Sequence, residues 1–513
     1  MSDLVPFAVA VPIVGSVLAL LAGLARSKTG WPVAVVASAV HVGVAGELAR
    51  RAFFEGTVRY VVGNFEVPYG IELVVDGLSA TILVLVAVVS LGVLGYARVA
   101  GPRSNAFYAA YMLLVTGLTG LSITGDLFNM YVFLEITGLA AYVLVASGEG
   151  GRSAVAALRY LLVGTVGASL FLLGLGYAYV ATGTLNMAHL AELLAEVGHT
   201  TTLVRAAFAF IVVGLLIKIA VFPLHTWQPE AYASSPDSVS GFISALVSTV
   251  SAYALVRVVY TVFTPEFLAA NPLAQDLLAA AAAVSIVAGS VFAVAQTEVK
   301  RMLAYSSVAQ FGLVLAGISL VNEMAMVGAL VHLVGHAIMK GGLFLTAGLV
   351  ATETGARTVD DYEGLADRVP LGATVFGLLA MAMVGIPPAV GFVGKWYIAL
   401  GAVETGSWVL TAVIVGSTLL TLAYFARLVE RMFFREAPVA PEETGATADE
   451  ADIAADGADV PAADGGDRPS TPETVSFGMY AVVVAAAVLA LALGAAVFEY
   501  AQYLQPTVTS LLS

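Results

Sequence analysis

Long, continuous apolar runs separated by short polar stretches constrain the fold of this chain more than any other feature of the sequence. About 20 apolar residues are enough to cross the hydrocarbon core of a bilayer as a helix. About fourteen such runs are centred near residues 15, 40, 85, 115, 137, 168, 213, 250, 285, 311, 338, 387, 418 and 490. They lack the alternation of a membrane β-barrel, and only 11% of residues are charged. We therefore predict an all-α polytopic membrane protein with about 14 transmembrane helices.

The basic residues fall unevenly between the two sets of predicted loops. Because Lys and Arg accumulate in cytoplasmic loops, this bias predicts orientation. Loops after even-numbered runs hold four basic residues: Arg50, Arg51, Arg59 and Arg205. Loops after odd-numbered runs hold fourteen: Arg26, Lys28, Arg98, Arg103, Arg152, Arg159, Lys300, Arg301, Arg357, Arg368, Arg427, Arg431, Arg435 and Arg468. We expect a multi-pass protein of the cell membrane with both termini on the non-cytoplasmic side.

Residues 436–475 differ in composition from the rest of the chain. Between Glu436 and Thr474 there are eleven acidic residues and one basic residue, so this segment carries −10 of the net charge of −14. It has too few large apolar residues to fold alone. We predict a disordered cytoplasmic loop at 436–475, followed by one last transmembrane helix within 476–513.

Four charged side chains interrupt the apolar runs: Glu135, Lys218, Lys340 and Lys395. Each costs about 2.5–3.5 kcal/mol at the centre of a bilayer, so such residues are rare and usually functional. The alternative is an interhelical salt bridge or a side chain that reaches the membrane surface. We expect a functional role for all four.

Two histidines precede one of these lysines at helical spacing. His332, His336 and Lys340 recur every four residues, which places them on one stripe of a helix where titratable groups can exchange protons. A metal site is the rival interpretation, but no third ligand accompanies the histidines at usable spacing. A core histidine that only hydrogen-bonds a carbonyl is the other alternative.

Proline interrupts two of the runs beside a lysine. Pro223 follows Lys218, and Pro387–Pro388 precede Lys395. Proline breaks the helical hydrogen-bond ladder, and within a membrane the freed carbonyls must face a cavity or other protein. Paired broken helices mark the functional midplane of many transporters, although a plain packing kink is the alternative.

The sequence lacks the signatures of nucleotide-driven and soluble-enzyme chemistry. There is no GxxxxGK[ST] loop, no GxGxxG, no HExxH and no cysteine, which excludes thiolate-ligated clusters. We expect no cofactor, no metal and no nucleic-acid partner. Transport energy must come from an ion gradient or from a partner protein, so the chain is more readily part of a transporter than an enzyme.

Five motifs between about residues 70 and 435 resemble a known family: GDLFNMYVFLEITGLAAYVL, KIAVFPLHTWQPEAY, EVKRMLAYSSVAQFG, VHLVGHAIMKGGLF and GIPPAVGFVGK. They are similar to the antiporter-like subunits shared by Mrp-type multisubunit cation/proton antiporters and the membrane arm of respiratory complex I. The first two motifs are most similar to the D-type subunits of the Mrp complexes. The resemblance implies two inverted five-helix repeats with broken helices, at 106–262 (helices 4–8) and 263–435 (helices 9–13), after three helices in 1–105.

The resemblance also implies roles for the intramembrane residues. Glu135 would be the essential acid of the fifth helix, paired with Lys218 of the broken seventh helix. Lys340, with His332 and His336, would form the proton relay of the eleventh helix, and Lys395 would be the lysine of the broken twelfth.

One position departs from the family. Where the eighth helix often carries a lysine, this chain has Thr249 in STVSAYALVR. A threonine can hold water but carries no charge. The proton path that passes through this lysine in the family is therefore not expected to operate unchanged in this chain. His225, just after Pro223, is a candidate substitute.

The resemblance implies a proton-translocating subunit of a Na⁺/proton antiporter that works with other antiporter subunits. The alternative is a proton-pumping subunit of a complex I-like quinone reductase or membrane-bound hydrogenase. A third interpretation is a structural subunit that conducts nothing, favoured only by the missing lysine at Thr249.

Overall fold

A computed structural model describes residues 2–65, 67–436 and 475–512 of the chain. Nearly all of the described chain is helical, as predicted. The helices are α1 (Val5–Ala25), α2 (Gly30–Phe54), α3 (Gly77–Ala97), α4 (Asn105–Ile123), α5 (Leu127–Ala146), α6 (Gly150–Thr182), α7 (Met187–Val197), α8 (Thr202–Ile219), α9 (Gln228–Ser234), α10 (Asp237–Arg257), α11 (Thr264–Ala270), α12 (Pro272–Val294), α13 (Val299–Ser319), α14 (Glu323–Thr354), α15 (Leu365–Arg368), α16 (Pro370–Val384), α17 (Val390–Glu404), α18 (Trp408–Phe434), α19 (Phe477–Ala495) and α20 (Val497–Leu512). The predicted acidic loop lies outside the described residues, apart from its two end residues.

Thirteen helical segments of the described chain are long and apolar enough to cross a membrane. Each coincides with one of the fourteen predicted runs. The remaining run, centred near residue 387, consists of two shorter helices, α16 and α17, because the chain is unwound between Val384 and Val390. The helical class and the broken twelfth helix are confirmed, whereas the division into two inverted repeats stays a prediction.

Several short elements between the spans were not predicted, among them two strands and the helix α7. The strands β1 (Val58–Val61) and β2 (Glu72–Val75) pair antiparallel in the loop after α2. The helix α7 follows α6 outside the candidate spans. These pieces have too few apolar residues to give a membrane signal, so a search for long runs passes over them.

Residues 476–513, where one transmembrane helix is predicted, hold two helices. The membrane span ends at Ala495, and α20 follows as a separate amphipathic helix. The apolar face of α20 recurs every three or four residues and is buried, as in a helix lying against a protein surface. Gln505 and Thr509 of α20 donate to the Glu323 carboxylate at the start of α14, at 2.9 and 2.8 Å.

The centre of the bundle is formed by α10, α13 and α14. The most apolar stretch of Asp237–Ala270 is buried at every position, whereas that of α1 is buried over only a third. Helix α14 has 32 residues, so at 1.5 Å per residue it is about 48 Å long and exceeds the thickness of the hydrocarbon core. The predicted intramembrane lysines and histidines all lie in or against this central layer.

The seventh predicted helix is also broken, and the break has local causes. Helix α8 ends at Ile219, and Ala220 adopts a left-handed conformation (φ 66°). The indole of Trp227 donates to the Ile217 carbonyl at 2.9 Å, beside the Ala220 N–H that donates to the same oxygen at 3.2 Å, so it fixes the last turn of α8. The chain then runs unwound to α9, which places the proline break where the sequence predicted it.

Glycine sets the approach of α17 to α14. A Cβ atom on Gly394 would lie 2.6 Å from the Cβ of His332, which is closer than two carbon atoms approach without a clash. The glycine therefore allows α17 to bring the next residue, Lys395, against the histidine-bearing face of α14.

We predict that Gly394→Val destabilises the protein by about 1–3 kcal/mol, because added side-chain atoms in a close-packed interface must displace a helix. Thermal unfolding of the purified protein in detergent would measure the loss. Gly416→Val on α18 is the control, since nothing lies within 4 Å of a Cβ at that position. Equal melting temperatures for the two variants would contradict the proposed packing constraint.

Candidate functional site

Lys218 and Glu135 form an ion pair inside the bundle. Lys218 lies on the last turn of α8 and its side chain is only 6% exposed, whereas the side chain of Glu135 on α5 is 28% exposed. The Lys218 Nζ atom lies 3.5 Å from Glu135 Oε1 and 3.4 Å from the Tyr142 hydroxyl. The structure thus brings together the two residues that the sequence predicted to act as a pair, and it adds Tyr142.

A glycine on α5 leaves room for this lysine. A Cβ atom on Gly138 would lie 3.2 Å from Lys218 Nζ and 2.9 Å from the Tyr142 hydroxyl. Any other residue at 138 would push against both polar groups. The spacing of Glu135, Gly138 and Tyr142 at three and four residues puts all of them on the face of α5 that the Lys218 side chain reaches.

Three polar residues, which we call the central cluster, adjoin the Lys218 backbone: Gln228, Tyr232 and Ser248. The Gln228 amide donates to the Ser248 hydroxyl at 3.3 Å and to the Tyr232 hydroxyl at 3.1 Å. Ser248 in turn donates to the Lys218 carbonyl at 3.4 Å. Buried amides and hydroxyls exchange hydrogen-bond partners without carrying net charge, so this cluster can conduct protons only through water or reoriented hydroxyls.

Helix α14 carries a second set of titratable residues, Lys340, His332 and His336. The Lys340 ammonium donates to the Leu303 carbonyl at 2.7 Å and to the Ser306 hydroxyl, both on α13. His332 Nε2 lies 2.9 Å from Oε1 of Gln310, also on α13. Neither ring nitrogen of His336 has a hydrogen-bond partner among the described residues. The predicted stripe therefore faces α13 along its whole length.

A metal at this stripe would need ligands that the described chain does not bring to it. The His332 and His336 ring centroids are 6.4 Å apart. Within the described residues, no group of three or more His, Cys, Asp or Glu side chains is arranged to hold a metal ion.

Lys395 lies on α17, the second half of the broken twelfth helix. Its ammonium donates to the carbonyls of Met383 and Val384 at 2.8 and 3.0 Å. These carbonyls end α16, where the helix dipole is negative and no intrahelical donor remains. The break in the twelfth helix thus supplies the acceptors that a buried lysine requires.

Thr249 and His225 are placed differently from these residues. Thr249 is fully buried on α10, and its hydroxyl has no partner among the described residues. The His225 ring packs against Phe222, Phe292 and Tyr305, on the side of α12 and α13. No hydrogen bond within the described chain joins either residue to a buried lysine.

Ion pairs at the arginine-rich end of the bundle were missed by the sequence analysis. Arg152 donates to Glu230 at 2.6 Å and to Glu298 at 2.9 Å, while Lys300 pairs with Asp237 at 2.9 Å. The motif EVKR contains Lys300, but its charge was counted only as a loop charge. The sequence near each basic residue does not indicate its acidic partner, because the paired residues lie between 63 and 146 positions apart in the chain.

The carboxyl of Glu230 lies on α9, outside the candidate spans, and is the link of this network to the broken helix. Burial acts to raise the pKa of Glu230, but the hydrogen bond from Arg152 and the charges of Arg301 and Arg159 outweigh it. The pKa of this carboxyl is therefore held below its ordinary value. The stabilisation it gives is present above the ordinary carboxyl pKa and is lost as the pH falls through the depressed value.

We predict that Glu230→Gln lowers stability by about 1 kcal/mol at pH 7, and that the difference from the unmodified protein vanishes in acid. Thermal unfolding between pH 7 and pH 3 would measure this. Glu192→Gln, at an exposed position on α7, is the control. A Glu230→Gln deficit that persists unchanged at pH 3 would contradict the role of the ionised carboxylate.

Known proteins resemble this chain over most of its length. Residues 124–421 match the family described as NADH:quinone oxidoreductase/Mrp antiporter, TM. The N-type subunit of NADH-quinone oxidoreductase from Desulforudis audaxviator is 48% identical over 390 residues, covering 74% of this chain and 76% of that protein. The D-type subunit of the Na⁺/H⁺ antiporter from Bacillus subtilis is 32% identical over 416 residues, covering 80% of this chain and 83% of that protein.

Two solved structures share the whole architecture. A chain of the membrane-bound sulfane sulfur reductase, an archaeal respiratory membrane complex, superposes with a TM-score of 0.86 at 27% identity and covers 99% of this chain and 98% of its own. A chain of the Mrp complex from Dietzia sp. DQ12-45-1b superposes with a TM-score of 0.84 at 26% identity, covering 100% and 99%. Both belong to multisubunit membrane assemblies.

Proposed function

The chain belongs to the NADH:quinone oxidoreductase/Mrp antiporter transmembrane family, and from this premise we propose that it is the proton-translocating subunit of a multisubunit Na⁺/proton antiporter. The observation that carries the proposal is the ion pair of Lys218 with Glu135, buried beside a helix break. A lysine in such a place changes its proton affinity steeply when a neighbouring charge moves.

Coupling between charges is the physical basis of the mechanism. At 3.5 Å and an effective dielectric constant of 20, two unit charges interact by about 5 kcal/mol. With Glu135 ionised nearby, Lys218 holds its proton. When Glu135 is neutralised or drawn away, burial favours the neutral amine and Lys218 releases the proton.

The released proton passes laterally through the central layer. The central cluster leads from Lys218 towards α14, and Lys340, His336, His332 and Lys395 follow along the two facing helices. Water crosses the intervals that no direct hydrogen bond bridges. In this route the uncharged Thr249 conducts nothing itself. Ser248, one residue earlier on α10, contacts the backbone carbonyl of Lys218, and water joins the Lys218 ammonium to the central cluster.

The transport mechanism also requires partner subunits, which cover the exposed face of Glu135. Glu135 keeps 28% of its side chain exposed within a candidate span, and a carboxylate facing lipid there is costly. A neighbouring protein that covers this face would both shield Glu135 and transmit the binding of Na⁺ to it. The chain therefore works as part of a hetero-oligomeric complex in the cell membrane.

A second function is favoured by one specific observation. The relative named for NADH-quinone oxidoreductase is 48% identical to this chain, against 32% for the relative named for the Na⁺/H⁺ antiporter. In this alternative the same lysine pair pumps protons, but a redox partner moves the charge near Glu135. The two functions differ in the source of energy and share the residues.

We predict that Lys218→Ala and Glu135→Gln each reduce Na⁺/proton antiport by roughly 100-fold or more, the scale on which positioned proton-transfer groups contribute. The measurement is Na⁺-induced dissipation of a pH gradient in inverted vesicles that contain the chain with its operon partners. Lys28→Ala, at an exposed loop lysine, is the matched control.

The same vesicles separate the two functions. Cation-dependent proton movement that requires Lys218 supports the antiporter. Proton uptake that requires Lys218 but responds only to NADH or a quinone would replace the antiporter with the redox-driven pump. Full antiport in Lys218→Ala would remove this residue from the mechanism.

We also propose that the arginine-rich end of the bundle is cytoplasmic and that both chain termini lie on the other side. Because the chain has no cysteine, single engineered cysteines report sidedness cleanly. We predict that a membrane-impermeant maleimide labels Thr200→Cys in intact cells and Ser27→Cys only in inverted vesicles. The reverse pattern would overturn the orientation.

A further inference from the structure

A groove on the outer surface of the bundle runs between α8 and α12. It encloses about 440 Å³ and is lined mainly by apolar side chains, among them Phe208, Val212 and Leu216 of α8 and Leu273 and Leu277 of α12. Leu273 and Leu277 are 71% and 61% exposed. Since both helices are candidate membrane spans, this groove opens to the hydrocarbon of the bilayer.

One charged residue, Arg205, stands at the end of the groove nearest the start of α8. Its Nε atom donates to Asn271 Oδ1, and Asn271 is itself fixed by donating to the His199 and Phe267 carbonyls at 3.0 and 2.9 Å. The Nη nitrogens of Arg205 make no hydrogen bond within the described chain. The guanidinium is thus held in place with its outer donors free.

Arg205 differs from the other arginines at this end of the bundle. Four of them form ion pairs with carboxylates, namely Arg50 with Glu47 and Glu55, Arg51 with Glu47, Arg59 with Glu72, and Arg257 with Asp76. Arg205 has no carboxylate partner within the described residues. Its positive charge is joined by the N-terminal dipole of α12, which begins at Pro272 beside it.

The length of the groove identifies the class of molecule that fits. From Arg205 to Leu216 is eleven residues of helix, or about 16 Å at 1.5 Å per residue. That is about half of the 30 Å hydrocarbon core, the depth of one leaflet. A cation at the surface with one leaflet of apolar groove below it matches the shape and charge of a phospholipid with an anionic headgroup.

We propose that this groove is a binding site for an anionic phospholipid, whose phosphate accepts hydrogen bonds from the Arg205 guanidinium and whose acyl chain lies between α8 and α12. The fork of the guanidinium suits a phosphate better than a single-point cation would. Arg205 selects a headgroup of negative charge, and the leucines of the groove position the acyl chain.

The groove is lined by α8, the helix that also carries Lys218. Lys218 follows the lining residue Leu216 by two positions. A lipid seated there braces α8 against α12 just before the helix break at Ile219. This consequence for transport rests on the proposed function, whereas binding of the lipid does not.

The test uses the purified full-length chain in detergent, titrated with dioleoylphosphatidylglycerol or dioleoylphosphatidylcholine and observed by native mass spectrometry. We expect one tightly held phosphatidylglycerol per chain and weaker retention of phosphatidylcholine. Arg205→Gln is expected to lower the affinity for phosphatidylglycerol about tenfold, the loss typical of a hydrogen bond to a charged group. Arg59→Gln, which removes an ion-paired arginine at the same end, is expected to leave it unchanged.

A second variant keeps the test independent of the arginine. Leu277→Trp fills the groove and is expected to remove the retained phospholipid while the helix content by circular dichroism stays that of the unmodified chain. Equal phosphatidylglycerol retention by the unmodified chain and Arg205→Gln would overturn the headgroup assignment. Retention of a neutral isoprenoid quinone in preference to both phospholipids, insensitive to Arg205→Gln, would overturn the choice of ligand. Because these readouts are binding measurements, failure of the antiport assay leaves them unaffected.

Discussion

The cost of holding charge in hydrocarbon is the constraint on which the rest of this structure depends. Each of the three lysines that interrupt the apolar runs has acceptors that offset part of that cost: a carboxylate for Lys218, a carbonyl and a hydroxyl for Lys340, and two helix-end carbonyls for Lys395. Only the first acceptor is itself charged. The three lysines therefore differ in how strongly a moving charge can alter their proton affinity, and Lys218 with Glu135 is the pair through which a second ion can act.

The helix breaks and the glycines serve the same end. A continuous helix uses its carbonyls internally and offers an ammonium group at most a shared oxygen, as Leu303 does for Lys340, whereas a helix that stops in mid-membrane leaves up to four carbonyls free. Helices α8 and α16 end beside lysines. At the end of α8, Trp227 donates to the Ile217 carbonyl and Ser248 donates to the Lys218 carbonyl. Gly394 lets α17 approach α14 closely enough for Lys395 to lie beside the histidine-bearing helix.

Most of the architecture could be predicted because membrane helices leave a local signal. The apolar runs, the proline breaks and the family motifs gave the helices, the breaks and the ion pair of Lys218 with Glu135. The polar partners Gln310, Ser306 and Tyr142 were not predicted, since serine, glutamine and tyrosine are common in such helices and only packing selects the ones in contact. The helix α20 was missed because its apolar face is too narrow to raise the mean hydropathy of its segment.

The contact of α20 with Glu323 bears on the order in which the bundle is assembled. Thr509 reaches back over 186 positions to the first turn of α14, the helix that carries Lys340. During synthesis α14 enters the membrane well before α20 exists, so its first turn waits without these two donors until the later segments have followed. Maturation of the central layer is thus coupled to completion of the chain, and a ribosome that stalls in the acidic stretch would leave an inserted bundle in which the first turn of α14 still lacks these two donors.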